Sequence, residues 1–346
     1  MTRSRAQLSG SAVSDVFRGA RVGVVIPVYN EAAFVGEVVD TLPAFVDRAY
    51  VVDDCSTDDT WRVVQERQAA HATDTVVRQA DGGRFGPSLV PIRHDSNRGR
   101  GAAVKTGYRA ALGDGMDVVA VMDGDGQMDP DRLDDLVRPV ADGVADYAKG
   151  NRLGAPEHRS EMTAWRRFGN RLLSVLTRVA SGYWGTSDSQ NGYTAISADT
   201  LEALDLEEVY DGYGFLNDML VRLNVLDARV VEVPMPAIYG DEESGIEYRS
   251  FVPALSLLLA QLFAWRLTTK YTVGQLHPVA VLYGLGLGSG AFGLGYVTHW
   301  FAPLADEAGR LQLAFVILGT SATVTLVALA LDRLHNRHLV TDGERP

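Results

Sequence analysis

No Asp, Glu, Lys or Arg occurs between Lys270 and Asp306, and residues 311–331 are uncharged as well. A bilayer-crossing helix needs about 20 mostly apolar residues, and both runs meet that length. The spacing predicts two membrane spans joined by a short loop at 302–310, a hairpin whose two ends share one side. Arg266 and Lys270 precede the first span, Arg333 and Arg337 follow the second, and the loop holds Asp306, Glu307 and Arg310. The positive-inside rule then sets the residues ahead of the hairpin, and the tail after it, in the cytoplasm. Uncharged runs of this length are rare in soluble folds, which disfavours the alternative of a helical hairpin buried in a large soluble core. Gly284, Gly286, Gly288, Gly290, Gly293 and Gly295 crowd the first span. Small residues at i, i+4 let membrane helices approach closely, here either the 319–322 stretch or another subunit, so a homo-oligomer through these helices is open. Residues 251–264 are apolar but too short to cross, and read as a helix lying in the membrane interface.

Ahead of the hairpin the pattern alternates between strand and helix. A strand at 22–28 precedes an amphipathic helix at 31–42. A second strand at 49–52 ends in Asp53-Asp54, and Ser56 or Thr57 can cap a helix through 61–70. A polar glycine-rich connection at 81–87 leads to a strand at 89–92, a helix at 101–112 and a Val-rich strand at 118–122. Such alternation predicts an α/β, mostly parallel, doubly wound sheet. The last of these strands ends in Asp123-Gly124-Asp125-Gly126-Gln127. In open α/β sheets ligands bind beyond the carboxyl ends of the strands. Two carboxylates and the Gln127 amide there offer hard oxygens suited to Mg²⁺ or Mn²⁺. Such a cation shares its shell with substrate phosphates, so a nucleotide diphosphate is a candidate ligand.

Charge narrows the partners. The chain has 44 acidic against 32 basic side chains, a formal net charge of −12, which disfavours nucleic acid. Its only lysines are Lys105, Lys149 and Lys270. Acid-rich, lysine-poor composition suits a halophilic, salt-loaded cytoplasm, although a GC-rich genome also favours Arg over Lys. Cys55 is the single cysteine, so there is no intrachain disulfide.

Three strand ends carry unusual chemistry in order: Pro27-Val28-Tyr29-Asn30-Glu31, then Asp53-Asp54-Cys55-Ser56-Thr57-Asp58-Asp59, then Asp123-Gly124-Asp125-Gly126-Gln127. Over residues 21–246 the chain thereby resembles family 2 of the inverting glycosyltransferases, which have a Rossmann-like GT-A fold. Within it the chain is similar to dolichyl-phosphate mannose synthases and related polyprenyl-phosphate glycosyltransferases. The resemblance implies that Pro27, Tyr29 and Glu31 line the base and ribose pocket. It implies that Asp54 contacts the nucleotide while Asp53 orders the turn, and that Asp123, Asp125 and Gln127 meet the metal and diphosphate. The segment 97–107 fails as a P-loop because Val104, not Gly, precedes Lys105. It matches a glycine-rich family segment in which Lys105 would lie near donor phosphates, a tight loop–helix junction being the alternative. Met128 at the sixth position excludes a calcium loop of the EF-hand type.

Further along, Arg152 and Arg166 lie where the resembling enzymes present arginines to an acceptor phosphate, with Arg167 an alternative to Arg166. Asp188 and Gln190 would bind donor hydroxyls or form a polar turn. Asp218 occupies the position of a catalytic-region acid, a general base where the acceptor is a sugar hydroxyl. A phosphate acceptor needs none, so Asp218 would then orient the sugar or the arginines. Residues 239–246 resemble the family's mobile loop, with Tyr239 and Gly245 in place of its usual Arg and Lys.

The expected organisation is a flexible N-terminus (1–20), a cytoplasmic GT-A domain (21–247), an interfacial helix (248–270) and a two-span transmembrane hairpin with a short cytoplasmic tail (271–346), set in the cell membrane. The expected activity is transfer of a hexose from a nucleotide sugar, of the GDP-mannose or UDP-glucose type, to dolichyl or polyprenyl phosphate for protein glycosylation. Asp125, Arg152 and Asp218 are the residues expected at the chemistry. Transfer onto a hydroxyl of a lipid-linked oligosaccharide and a non-catalytic scaffold of a glycosylation complex are the alternatives. Processive polysaccharide synthesis is disfavoured by the lack of a Gln-x-x-Arg-Trp segment, and a dehydrogenase by the lack of G-x-G-x-x-G after the first strand.

Overall fold

The computed structural model describes residues 17, 19–79, 87–152, 164–235, 248–272, 276–297 and 307–341. Most of the N-terminal segment 1–20, the glycine-rich connection at 80–86, the segment at 239–246 and most of the loop at 302–310 lie outside the described residues.

The elements run β1 (Val22–Val28), α1 (Val35–Asp40), β2 (Arg48–Asp53), α2 (Thr60–Gln79), β3 (Ser88–Arg93), α3 (Arg100–Gly113), β4 (Val118–Val121), α4 (Leu133–Ala141) and β5 (Tyr147–Asn151). They continue with α5 (Ala164–Ser181), β6 (Thr194–Ser197), α6 (Ala198–Ala203), α7 (Phe215–Val225), β7 (Val230–Pro234), α8 (Tyr248–Tyr271), α9 (Pro278–Val297), α10 (Glu307–Asn336) and β8 (Val340–Thr341). One sheet joins all eight strands in the order β3-β2-β1-β4-β6-β5-β7-β8. Its pairings are parallel except those of β6, which runs antiparallel to β4 and to β5.

All seven residues of β1 are buried, as expected of a strand covered on both faces. Alternate side chains feed two cores. Val24, Ile26 and Val28 meet Val35, Val39, Leu136 and Val137 on one face. Val25, Tyr50 and Val52 meet Ala103, Tyr108, Met219 and Leu223 on the other. The helix after β1 is shorter than its apolar pattern suggests, starting at Val35. The residues before it are stitched to the β2–α2 turn instead: Asn30 N donates to Ser56 Oγ (2.9 Å), Glu31 N to Thr60 Oγ1 (2.8 Å), and Asn30 has a φ of 59°.

Among the described residues, three C-terminal helical stretches are long and apolar enough to cross a membrane: Val252–Tyr271, Pro278–Val297 and Leu311–Leu339. The apolar part of α8 is thus longer than the sequence pattern suggested. It packs on α5 and α7, Leu255, Leu259 and Leu262 lying against Leu173, Ala180 and Val221. The hairpin of α9 and α10 closes along one glycine stripe. A Cβ on Gly286 or Gly290 would collide with Thr325 or Ser321, and Ser321 Oγ donates to the Gly286 carbonyl (2.7 Å). After α10 the chain returns to the sheet edge, where β8 pairs with β7. A two-residue strand carries no periodicity, and the pattern gave no sign of it.

Candidate active site

The ends of β2, β1 and β4 lie side by side. Val28 is in register with Asp53, Asp54 N donates to the Val28 carbonyl (2.9 Å) and Gly124 N to that of Pro27 (3.3 Å). Pro27, the paired acids and the Asp123 loop therefore form one rim, from which Tyr29 projects 44% exposed. Glu31 is half-buried at its outer edge. A Cβ on Gly124 would strike Val28, so only glycine lets the Asp123 loop cross this close to β1.

The two adjacent acids have different tasks. Asp53 is fully buried; its Oδ1 accepts from Ser56 N (3.0 Å) and its Oδ2 lies 3.0 Å from Arg93 Nε. Asp54 reaches across to the glycine-rich segment. Its Oδ1 accepts from Arg98 N (2.9 Å) and lies 2.7 Å from His94 Nδ1, while its Oδ2 accepts from Gly99 N (2.7 Å). Asp54 thus pins the turn that opens α3, at a glycine whose φ of 91° suits no other residue. Lys105 is turned from this rim toward the segment before α7. Its Nζ is 2.6 Å from Asp211 Oδ1 and donates to the Val209 carbonyl (2.7 Å).

Asp123 stands at the head of β4, its side chain 23% exposed, with Arg100 Nε donating to its Oδ1 at 2.8 Å. Asp125 accepts from Gln127 N (2.9 Å) through Oδ1. Among the described residues no three His, Cys, Asp or Glu side chains gather into a metal cage. The donor set of Asp123, Asp125 and the Gln127 amide is oxygen-only and incomplete, which fits a hard cation that takes its remaining ligands from phosphate and water.

The opposite wall comes from β5, β7 and the 187–192 loop. Arg152 grips Asp188 with Nε and NH2 (2.9 and 3.3 Å), and its backbone N donates to the same carboxylate (3.1 Å). Burial works to raise the Asp188 pKa, but the hydrogen bonds and charge of Arg152, together with the charge of Lys149, outweigh it and hold the acid below the ordinary value. Glu232 on β7 ties this wall together, accepting from Ser187 N (2.6 Å), Asp188 N (3.1 Å) and Asn151 Nδ2 (2.8 Å). Lys149, wholly buried in β5, donates to the Asp188 carbonyl. Gln190 donates to Asn217 Oδ1 (3.0 Å), and Asn217 in turn to Thr177 Oγ1 (2.8 Å). The two walls meet where Arg100 NH2 approaches the Gly192 carbonyl (3.4 Å) beside Asp123.

Asp218 is not presented to this cleft as an open carboxylate. Its Oδ2 accepts from Tyr210 N (2.8 Å) and its Oδ1 from Arg222 Nε (2.8 Å), with 1% of the residue exposed. Burial raises its pKa by more than Tyr210 and Arg222 lower it. Arg166 and Arg167 belong to α5, and their side chains lie outside what the structure describes. Sequence reasoning missed Arg100, Asn217 and Glu232. Arg100 lies within the segment 97–107, where nothing nearby in the sequence names its partner, and Glu232 is an isolated acid in an apolar strand whose neighbours only the sheet order supplies.

Residues 23–204, more than half of the chain, match the model of Glycosyl transferase family 2. The UDP-N-acetylglucosamine–dolichyl-phosphate N-acetylglucosaminyltransferase of Methanococcus voltae is 29% identical over 219 residues, which cover 63% of this chain and 86% of that protein. The undecaprenyl-phosphate mannosyltransferase of Micrococcus luteus is 32% identical over 220 residues, covering 62% and 82%. A crystal structure of glucosyl-3-phosphoglycerate synthase from Mycobacterium tuberculosis, in complex with Mn²⁺, UDP-glucose and phosphoglyceric acid, overlaps 77% of this chain and 86% of its own, with 20% identity and a TM-score of 0.49. With strand-end acids, arginine wall and family match in agreement, the chain belongs to glycosyl transferase family 2 and is a glycosyltransferase.

Proposed function

We propose that this glycosyltransferase moves a hexose, with inversion at the anomeric carbon, from a nucleotide sugar of the GDP-mannose or UDP-glucose type to a polyprenyl or dolichyl phosphate at the cytoplasmic face of the cell membrane. The observation that carries the reading is Arg152. Its side chain is 40% exposed and gripped by Asp188, and it follows directly on β5, at the same sheet edge as the Asp123 turn beyond β4, in a chain that runs on into apolar helices. Guanidinium binds phosphate through paired hydrogen bonds. The names of the Methanococcus and Micrococcus relatives, both transferases to polyprenyl-type phosphates, support the same acceptor class.

In this reading Pro27, Tyr29 and Glu31 receive the base and ribose, with Asp53 and Asp54 shaping the rim beneath them. Gln190 and Asp188 stand on the sugar side, and Arg152, joined by Arg166 or Arg167, takes the acceptor phosphate. Asp123 and Asp125, with Gln127, are the residues that would hold Mg²⁺ or Mn²⁺. Such a cation neutralises a departing nucleoside diphosphate. The acceptor phosphate is ionised at neutral pH and attacks without a base. The engagement of both Asp218 oxygens by Tyr210 and Arg222 favours this acceptor over a sugar hydroxyl, which needs a free carboxylate.

Chain return supports the membrane arrangement of this reading: β8 comes after α10 yet pairs with β7, as two crossings between them would require. α9 and α10 are the two crossings, and α8, packed on α5 and α7, lies along the interface. Lys270, Arg333 and Arg337 on the domain side agree with a cytoplasmic setting. The acidic, lysine-poor composition supports a salt-loaded cytoplasm, and lipid-linked sugar for protein glycosylation is the destination.

The test is incubation of membranes holding the full chain with radiolabelled GDP-mannose, UDP-glucose and UDP-N-acetylglucosamine. Label in an organic-extractable, mild-acid-labile product is the expected result. Label confined to water-soluble glycan would reject the lipid phosphate acceptor.

A further inference from the structure

The carboxylate best placed to hold a cation is already held by a cation of the chain itself. Arg100, the first residue of α3, puts Nε 2.8 Å and NH2 2.7 Å from the same oxygen, Asp123 Oδ1. Its position is fixed from three sides. Gly99 N and Arg98 N are bound by Asp54, Gly101 N donates to the Asp211 carbonyl (3.0 Å), and the guanidinium reaches the Gly192 carbonyl (3.4 Å). A Cβ on Gly192 would collide with Arg100 NH2 and lie 3.1 Å from Asp123 Oδ2. The absence of a side chain there leaves room for guanidinium and carboxylate together. With side chains 36% and 23% exposed, the pair is only partly screened by solvent.

We infer that Arg100 is the resident counter-ion of Asp123, which a divalent cation must displace, so that the free enzyme binds metal weakly. A divalent point charge and a guanidinium compete for one carboxylate, and two positive centres this close repel each other, so binding of one weakens the other. The displaced guanidinium has an anion to turn to only when a diphosphate enters the cleft. Arg100 would therefore couple cation binding to arrival of the nucleotide. The inference rests on the reading of Asp123 as the cation's carboxylate, and its test does not depend on any sugar or lipid.

The experiment is titration of the full chain in detergent with Mn²⁺ alone, following the free Mn²⁺ signal by electron paramagnetic resonance, with circular dichroism to verify the fold. Arg100→Met is expected to bind Mn²⁺ about tenfold more tightly than the wild type, equivalent to about 1.4 kcal/mol. Arg100→Lys, which keeps the charge but loses the paired contact, is expected to fall between the two, and it decides the matter should Arg100→Met fail to fold. In an Asp123→Asn background the gain is expected to vanish. Unchanged or weaker Mn²⁺ binding in a folded Arg100 variant, or a gain that survives Asp123→Asn, overturns the inference. Should the wild type make no lipid-linked sugar while Arg100→Met still tightens Mn²⁺, the acceptor assignment fails and the counter-ion role stands.

Discussion

Arg266 and Asp332 form a paired ion contact (NH1–Oδ1 3.1 Å, NH2–Oδ2 2.7 Å) with neither side chain exposed, joining α8 to α10. Arg266 also donates to the Val179 carbonyl (3.2 Å) and to Asn224 Oδ1 (3.3 Å), and Asp332 accepts from Tyr271 OH (2.6 Å) and Asn336 Nδ2 (2.8 Å). The contact therefore ties α8, α10 and the end of α7 into one body. Removing one partner strands a buried charge, which costs about 3–5 kcal/mol. Arg266→Ala or Asp332→Ala is expected to lower the thermal unfolding midpoint in detergent sharply. The double change Arg266→Met/Asp332→Leu is expected to recover most of the loss. Equal losses in single and double variants would argue against a paired charge as the source.

Arg152 is held by Asp188, and in the proposed function it meets the acceptor phosphate. Loss of a charge-assisted contact of this kind is worth about 2–3 kcal/mol, roughly 30- to 150-fold in kcat/KM. Arg152→Ala is expected to lose that much toward the lipid phosphate and to change little in nucleotide affinity. Asp188→Asn, which leaves the guanidinium present but loosely oriented, is expected to lose less. Steady-state kinetics against acceptor concentration and a separate nucleotide titration distinguish the two effects.

Asp218 accepts two hydrogen bonds and faces no open space, so its value is structural where the acceptor is already ionised. Asp218→Asn is expected to leave kcat within a few-fold of wild type while lowering stability by about 1–3 kcal/mol, the range for a buried bond left incomplete. A collapse of turnover with the unfolding midpoint preserved would instead make Asp218 a base and the acceptor a hydroxyl.

Lys149 carries its ammonium inside β5, and burial depresses its pKa from the ordinary 10.5 despite the opposing charges of Asp188 and Glu232. Between the depressed folded value and 10.5 the unfolded chain binds more protons than the folded one, so stability rises with pH in that window. Lys149→Met removes the titrating group and is expected to flatten that rise. Denaturant unfolding measured across the alkaline range would test it, and an identical slope in the variant would exclude Lys149 as the cause.

Much of this protein was legible residue by residue. The run Val22–Val28 reads as a doubly covered strand because burial on both faces demands consecutive apolar residues. The paired acids at 53–54, the Asp123–Gln127 turn and the uncharged C-terminal stretches are likewise properties of neighbours along the chain, and they pointed to the family and to helices apolar enough to span a membrane. Other features invite a local reading that tertiary contacts replace. Asp54 reads as a ligand contact, yet its oxygens hold Arg98 and Gly99. Lys105 reads as a phosphate partner, yet it is taken up by Asp211 and Val209.

The amino-acid order alone determined which segments become strands, which acids stand at their ends and where the chain turns greasy, because each depends on spacing within a few residues. Only the folded arrangement decided that Arg100 sits on Asp123, that Glu232 braces Asp188, that Arg266 meets Asp332 and that the tail returns beside β7. Those pairings join positions far apart in the chain, and sheet order and helix docking choose the partner, which no local periodicity encodes.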